Sequence, residues 1–210
     1  MSKHELEDGM DMDAMQMVYA KTLYTLRETR KALLRQYGVD SESDLLEKIR
    51  CGQASEHPAY DHYLGSLIVE QTRQQLRAEI AAQLGGALSD EAPDLSVHLM
   101  LKDRLEAEYA QRMTEPVRMA QDALLLSFDN GLLMEVRYAN AGEYAMSWSW
   151  GDAELRIDTA PVHAQCGTAP HHLHRDDGTV TADPLTSPGT DCWLNFSRLL
   201  DALLADPLLG

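Results

Sequence analysis

The chain has little positive charge. Lys and Arg together number 18 against 34 Asp and Glu, and the net charge is −16. The imbalance deepens toward the C-terminus, where residues 151–210 carry three basic and nine acidic side chains. A surface that tracks nucleic-acid phosphates needs clustered Lys and Arg. The composition therefore excludes an extended nucleic-acid surface and leaves only a small local site or a basic partner for any contact with RNA.

Cysteine, aromatic residues and long apolar runs are also scarce. Three widely spaced cysteines, Cys51, Cys166 and Cys192, exclude a disulfide framework and a Cys-x-x-Cys zinc knuckle, and they fit a reduced cytoplasm. No apolar run reaches membrane-spanning length, and the N-terminus is too acidic for a secretory signal. Gly-rich phosphate loops and Gly-x-Ser-x-Gly elbows are absent as well. We therefore expect a cytoplasmic protein without membrane contact.

The N-terminal half has helical periodicity. Apolar residues recur every three or four positions from Asp13 to Gln36, after a frayed start at residues 1–11. A short helix follows Ser41, and a third begins at His57-Pro58. These patterns predict a helical hairpin module over residues 1–86. A linker at residues 85–94 and a fourth helix at residues 94–113 follow.

After Pro116 the period changes from that of a helix to that of a strand. Apolar and polar residues alternate between residues 123 and 157, and turn signals interrupt them at Asn130-Gly131, at Gly142 and at Gly151. This pattern predicts a four-stranded antiparallel meander, which an amphipathic helix at residues 194–205 can cover. The fold class is therefore α+β, with a helical hairpin module at residues 1–86 followed by a sheet domain at residues 87–210.

Four of the eight histidines fall within twelve residues, at His163, His171, His172 and His174. Imidazole gains and loses a proton near neutral pH, so this cluster is the first candidate for chemistry. Cleavage of RNA without a metal needs a base, an acid and a cation. His163 and His174 are the candidate acid–base pair, with His172 beside them. The cation would be Arg156 or Arg175, and Asp158 could orient an imidazole.

Two other interpretations of the cluster stay open. In an extended segment, His172 and His174 project to the same side, because side-chain direction repeats every second residue. His163 or Asp176 could then complete a tetrahedral site for a divalent metal, the one cofactor that the sequence suggests. Alternatively, the histidines only pack and bond to loop backbone.

Residues 124–177 resemble the TumE-like family, toxins of bacterial and archaeal toxin–antitoxin systems. The resemblance rests on two motifs behind the predicted hairpins, Asp158-Thr-Ala-Pro-Val-His163 and Pro170-His-His-Leu-His174. The chain departs from the family pattern at Thr159, Val162 and Leu173, and the last of these stands where a Lys is common. The resemblance implies an RNA-cleaving or RNA-modifying toxin-like domain.

The N-terminal module resembles the small helical protein often encoded upstream of such toxins. Tyr37-Gly38 and the Glu56-His57-Pro58-Ala59-Tyr60 segment carry this resemblance. It implies a fusion of two partners, in which the helices would inhibit the toxin domain in cis. Two alternatives are a small His-rich metal-binding protein and a non-catalytic protein. The latter would bind a protein partner or form a homodimer, with a four-helix interface from the apolar stripes of its first and third helices.

Overall fold

The computed structural model describes residues 3–83 and 96–210, with side chains from residue 14 onward. The helices of the described residues are α1 (Lys3–Arg35), α2 (Glu42–Arg50), α3 (Glu56–Gln83), α4 (Val97–Glu108) and α5 (Cys192–Ala205). The strands are β1 (Arg118–Met119), β2 (Leu124–Ser127), β3 (Leu133–Asn140), β4 (Glu143–Trp150), β5 (Ala153–Asp158), β6 (His172–His174) and β7 (Val180–Ala182). No described helix combines the length and the hydropathy needed to cross a membrane.

Helices α1 and α3 form the predicted hairpin, with α2 between them. The hydroxyl of Ser41 accepts the Asp44 N–H at 3.2 Å and caps α2, as the sequence predicts. Two predicted boundaries are wrong, because α1 begins at Lys3 instead of after a frayed start and α4 ends at Glu108. The predicted linker at residues 85–94 lies outside the described residues.

The α+β class is confirmed, and the meander is longer than predicted. Seven described strands lie in sequence order, each antiparallel to the next. The four predicted strands correspond to β2–β5. The two-residue β1 extends one edge, and β6 and β7 extend the other. His172 and His174 therefore lie on strand β6 and share one face of it, whereas His163 and His171 lie outside the strands.

The sheet is covered by helices on both faces. One face packs α4 and α5 over alternate residues such as Met134, Val136 and Ile157. On the opposite face, the α1–α3 hairpin packs over the small side chains of Ala139, Ala145 and Ala160. The hairpin covers one end of this face and leaves the rest open. The edge of the hairpin, at the start of α3, is where the histidines lie.

His98 of α4 replaces a missing strand neighbour. The pairing of β2 with β3 ends at Val136, and beyond it the N–H of Tyr138 donates to Nε2 of His98 at 3.1 Å. His98 is only 5% exposed, and burial lowers its pKa from 6.5 to about 4. The ring is therefore neutral at pH 7, as an Nε2 acceptor must be.

This lowered pKa makes stability depend on pH. Unfolded His98 titrates near 6.5, so its contribution is fully present above that pH and is lost as the pH falls toward 4. Between pH 7 and pH 4.5 the loss is about 2 kcal/mol. A His98→Gln variant keeps an acceptor without the titration, so its urea unfolding free energy should fall by about 2 kcal/mol less than that of the parent. Equal losses in both proteins would contradict this assignment.

The exposed side chains of α1 are relevant to the predicted binding of a protein partner or a second copy through the N-terminal helices. Leu26 and Leu34, from the apolar stripe of this helix, are already buried within the chain. Met17, Val18 and Tyr24 are more than half exposed on the same helix. Through the described side chains of α1, pairing with a protein partner or a second copy would use these outer residues. Such pairing stays a prediction.

Candidate functional site

The sheet register brings four of the predicted site residues together. Arg156 of β5 lies opposite His174 of β6, and Asp158 lies opposite His172. Because side chains alternate along a strand, all four point to the face away from the α4–α5 core. Nε2 of His172 and Nε2 of His174 are 3.0 Å apart.

The fifth predicted residue, His163, joins them from the turn that follows β5. Its ring centroid lies 4.4 Å from that of His172 and 5.5 Å from that of His174. His172 itself is fully buried, and its Nδ1 lies 2.9 Å from the carbonyl oxygen of Pro170. Because Nδ1 must donate to that oxygen, the Nε2 of a neutral His172 ring presents its lone pair to the cluster.

Helix α3 supplies three further residues. The backbone of His57 is extended (φ −109°, ψ 135°), so the regular helix starts after it. This break directs Glu56 and His57 onto the sheet. Asp61, one turn into the helix, reaches Arg156.

Glu56 is the centre of the cluster. Its Oε2 lies 2.8 Å from Nε2 of His163. Its Oε1 lies 2.9 Å from Nε2 of His172 and 3.4 Å from Nε2 of His174. Burial opposes ionisation of this carboxyl, but hydrogen bonds from the three imidazoles outweigh burial and hold the pKa of Glu56 far below its usual range.

Arg156 and Asp158 form a buried ion pair beside the histidines. Nε of Arg156 donates to Oδ2 of Asp158 at 2.6 Å, and Nη1 donates to Oδ1 of Asp61 at 2.8 Å. The N–H of Ala160 donates to the other oxygen of Asp158 at 2.9 Å. The Asp158 side chain is fully buried, whereas Nη2 of Arg156 is buried without a hydrogen-bond partner among the described residues.

Burial and neighbouring charges move the pKa values of His57 and His172 in opposite directions. Burial, reinforced by Arg156, lowers the pKa of His57. Burial also opposes protonation of His172, but the hydrogen bond to Glu56 and the charge of Asp158 raise its pKa. The charged form is therefore favoured at His172 and disfavoured at His57.

The cluster opens onto a groove along the uncovered part of the sheet, with a volume of about 620 Å³. His57, His174 and Arg156 form the wall of the groove next to the cluster. Nε2 of His57 lies 3.3 Å from Nε2 of His174. The rest of the lining is mixed and includes Arg118, Ser127, Ser147, Glu115, Glu135 and Glu154. The volume suits a small molecule or a short segment of a larger one.

Three other candidates from the sequence lie elsewhere. Arg175 donates to the carbonyl oxygen of Leu209 at 3.2 Å, because it faces the opposite side of the strand from His174. Asp176 is exposed and lines a different cavity, near Trp150. The Nδ1 of His171 is buried without a hydrogen-bond partner in the described part of the chain, and no hydrogen bond joins its ring to the cluster.

Sequence reasoning missed Glu56, His57 and Asp61. They stand about a hundred positions before the histidines, and the Glu56-His57-Pro58 run reads as an ordinary helix start. The one available signal was an acid and a histidine side by side just before a proline. Proline holds the preceding residue out of the helical conformation, so two polar side chains are free to point away from the helix.

Comparison with known proteins covers only the helical part of the chain. No curated protein and no solved structure matches this sequence. One family model does match, and it ends before the sheet, so the TumE-like resemblance of residues 124–177 stays a prediction. The matched region includes Glu56, His57 and Asp61. Residues 5–84, which hold the α1–α3 hairpin and its contribution to the histidine cluster, match the uncharacterized protein MJ0235 family.

Proposed function

We propose that the chain is a toxin–antitoxin component whose sheet domain cleaves RNA at the histidine cluster, with the helical hairpin completing the site. The observation that carries the proposal is the groove wall, where His57, His174 and Arg156 line one space. A phosphodiester cleavage needs a base on the attacking hydroxyl, an acid on the leaving oxygen and a donor to the phosphate.

Each of these roles has a candidate at the wall. His57 lines the groove with about a third of its side chain exposed, and its one hydrogen-bond contact among the described residues joins its Nε2 to that of His174, so this imidazole is the candidate to take a proton. His174 lies beside it and is held by Glu56. The guanidinium of Arg156 lines the groove, is fixed by two carboxylates, and would supply positive charge to a phosphate oxygen.

The groove also limits the substrate. Glu115, Glu135 and Glu154 on its walls oppose a long phosphate backbone. We therefore expect the site to act on a single exposed nucleotide, at a loop or an end, with the rest of the RNA outside the groove.

The test uses the purified full chain and short single-stranded oligoribonucleotides, with products resolved by electrophoresis. We expect cleavage by the parent protein and a rate at least about 100-fold lower for His57→Gln, the usual scale for losing a general acid or base. His62→Gln is the matched control, because His62 lies on the same helix but bonds to Tyr37 outside the cluster. Intact RNA with the parent protein, or equal rates for parent and His57→Gln, would contradict the proposal.

A further inference from the structure

Four potential metal-ligand atoms, one from Glu56 and one from each of three histidines, lie close enough together to hold a cation. Nε2 of His163, His172 and His174 and one oxygen of Glu56 all lie within 4.8 Å of one another. Ligand atoms around a tetrahedral Zn²⁺ stand roughly 3.3 Å apart. The 3.0 Å between the two β6 nitrogens and the 3.4 Å from His174 to Glu56 are close to that spacing.

Hydrogen bonding alone satisfies this arrangement poorly. Three imidazole nitrogens share the two oxygens of one carboxylate, and two of those nitrogens also face each other. A nitrogen lone pair pointed at another nitrogen or at a carboxylate oxygen is repulsive. A divalent cation at the centre would accept all of these lone pairs together.

Metal-binding histidines usually have a second hydrogen bond that orients the ring, and groups of this kind lie next to the candidate ligands. The Nδ1 of His172 is held by the carbonyl oxygen of Pro170, which fixes the ring with Nε2 toward the centre. Nδ1 of His163 lies 3.3 Å from the side-chain amide of Gln165, whose oxygen would accept from Nδ1 once the amide is turned. Asp158 lies 3.4 Å from Nε2 of His172 and adds negative charge just outside the set.

We propose that Glu56, His163, His172 and His174 bind one divalent transition-metal ion, of which Zn²⁺ is the first candidate because imidazole and carboxylate are its ordinary ligands. A second ion is not proposed, because the second cluster of metal-ligand type among the described residues, with His57 and Asp158, reuses Glu56 and His174. The ion ties α3 to the sheet.

The ion also has a consequence for the reaction, and this part rests on the proposed function. Glu56, Asp61 and Asp158 outnumber Arg156 in the cluster, so neutral imidazoles leave the site negative. A divalent ion would cancel that negative charge beside the groove and so reduce the repulsion of a phosphate. With the ion bound, His174 is a ligand and cannot serve as the acid, so His57, which is not in the ligand set, is the imidazole of the groove wall that is left for proton transfer.

Metal binding is measured on the full chain after chelator treatment and dialysis. Zn²⁺ and Co²⁺ are titrated in, the bound metal is counted by mass spectrometry, and the melting temperature is recorded with and without the ion. We expect one ion per chain and a higher melting temperature. Glu56→Gln and His163→Ala should weaken binding by more than about 100-fold, the upper limit for losing an outer-sphere partner.

His171→Ala is the matched control, because His171 adjoins the ligands in sequence but is outside the set. His163 lies in a turn and is partly exposed, so its variant should keep the fold, which circular dichroism would verify. Less than stoichiometric metal in the parent, or unchanged binding in both ligand variants, would overturn the inference. Bound metal without RNA cleavage would reject the proposed function alone, whereas equal cleavage by metal-free protein that takes up no ion would reject the metal site alone.

Discussion

An Arg156→Met variant is expected to lose about 3–5 kcal/mol of unfolding free energy at neutral pH, the range for breaking a buried ion pair from one side. Asp61 would retain Arg137 within 3.6 Å, but Asp158 is fully buried and would lose the donor that lies 2.6 Å away. The cost is the uncompensated charge of that carboxylate. Urea unfolding followed by tryptophan fluorescence measures it.

Two further variants show whether the charge is the cause. Arg175→Met removes a similar side chain whose bond goes to the carbonyl oxygen of Leu209, so we expect a loss of about 1 kcal/mol. Asp158→Asn in the Arg156→Met background should cost less than the two single changes added together, because the unpaired charge is gone. If Arg156→Met lost no more unfolding free energy than Arg175→Met, the buried charge of Asp158 would not need Arg156 to stabilise it.

Residues 87–210 expressed alone should cleave RNA at least about 100-fold more slowly than the full chain and should not arrest growth. The fragment lacks Glu56 and His57, and it uncovers the small side chains that α3 packs on, such as Ala145. Supplying residues 1–86 as a separate chain should restore part of the cleavage. Oligoribonucleotide cleavage and growth curves of an expressing bacterial host measure both effects.

The same experiment separates two roles for the helical hairpin. If the helices inhibit the sheet domain in cis, the fragment should be more toxic than the full chain. If α3 completes the site, the fragment should be harmless and His57→Gln in the full chain should be harmless too. A soluble, folded fragment that arrests growth would contradict a composite site.

Local patterns were enough to predict most of the architecture. The alternation in β3 and β4 and the glycine turns between strands predict the centre of the meander, and the hairpin of α1 and α3 follows from helical periodicity. The short strands β1, β6 and β7 were not predicted, because two or three residues are too few to show a period.

The sequence allowed prediction of only the part of the site that lies on β5, β6 and the turn between them. A His-x-His pair in an extended chain predicts two imidazoles on one side, and the pairing of β5 with β6 adds Arg156 and Asp158 to that side. The same alternation explains why Arg175 points away. The position of Glu56 could not be predicted, since it depends on how α3 docks on the sheet, and neither segment carries a local signal for that docking.

Because each strand of the sheet pairs with its neighbour in sequence, the sheet and the histidine cluster differ in when they can form during folding. Each strand pairs with the one just before it, so the sheet can grow through short loops with little entropic cost. The contact between Glu56 and His163, by contrast, closes a loop of 107 residues. During synthesis the hairpin leaves the ribosome before the strands of the sheet, so Glu56 is made before the histidines that it contacts. The cluster around Glu56 therefore stays incomplete in a nascent chain until β6 has been translated.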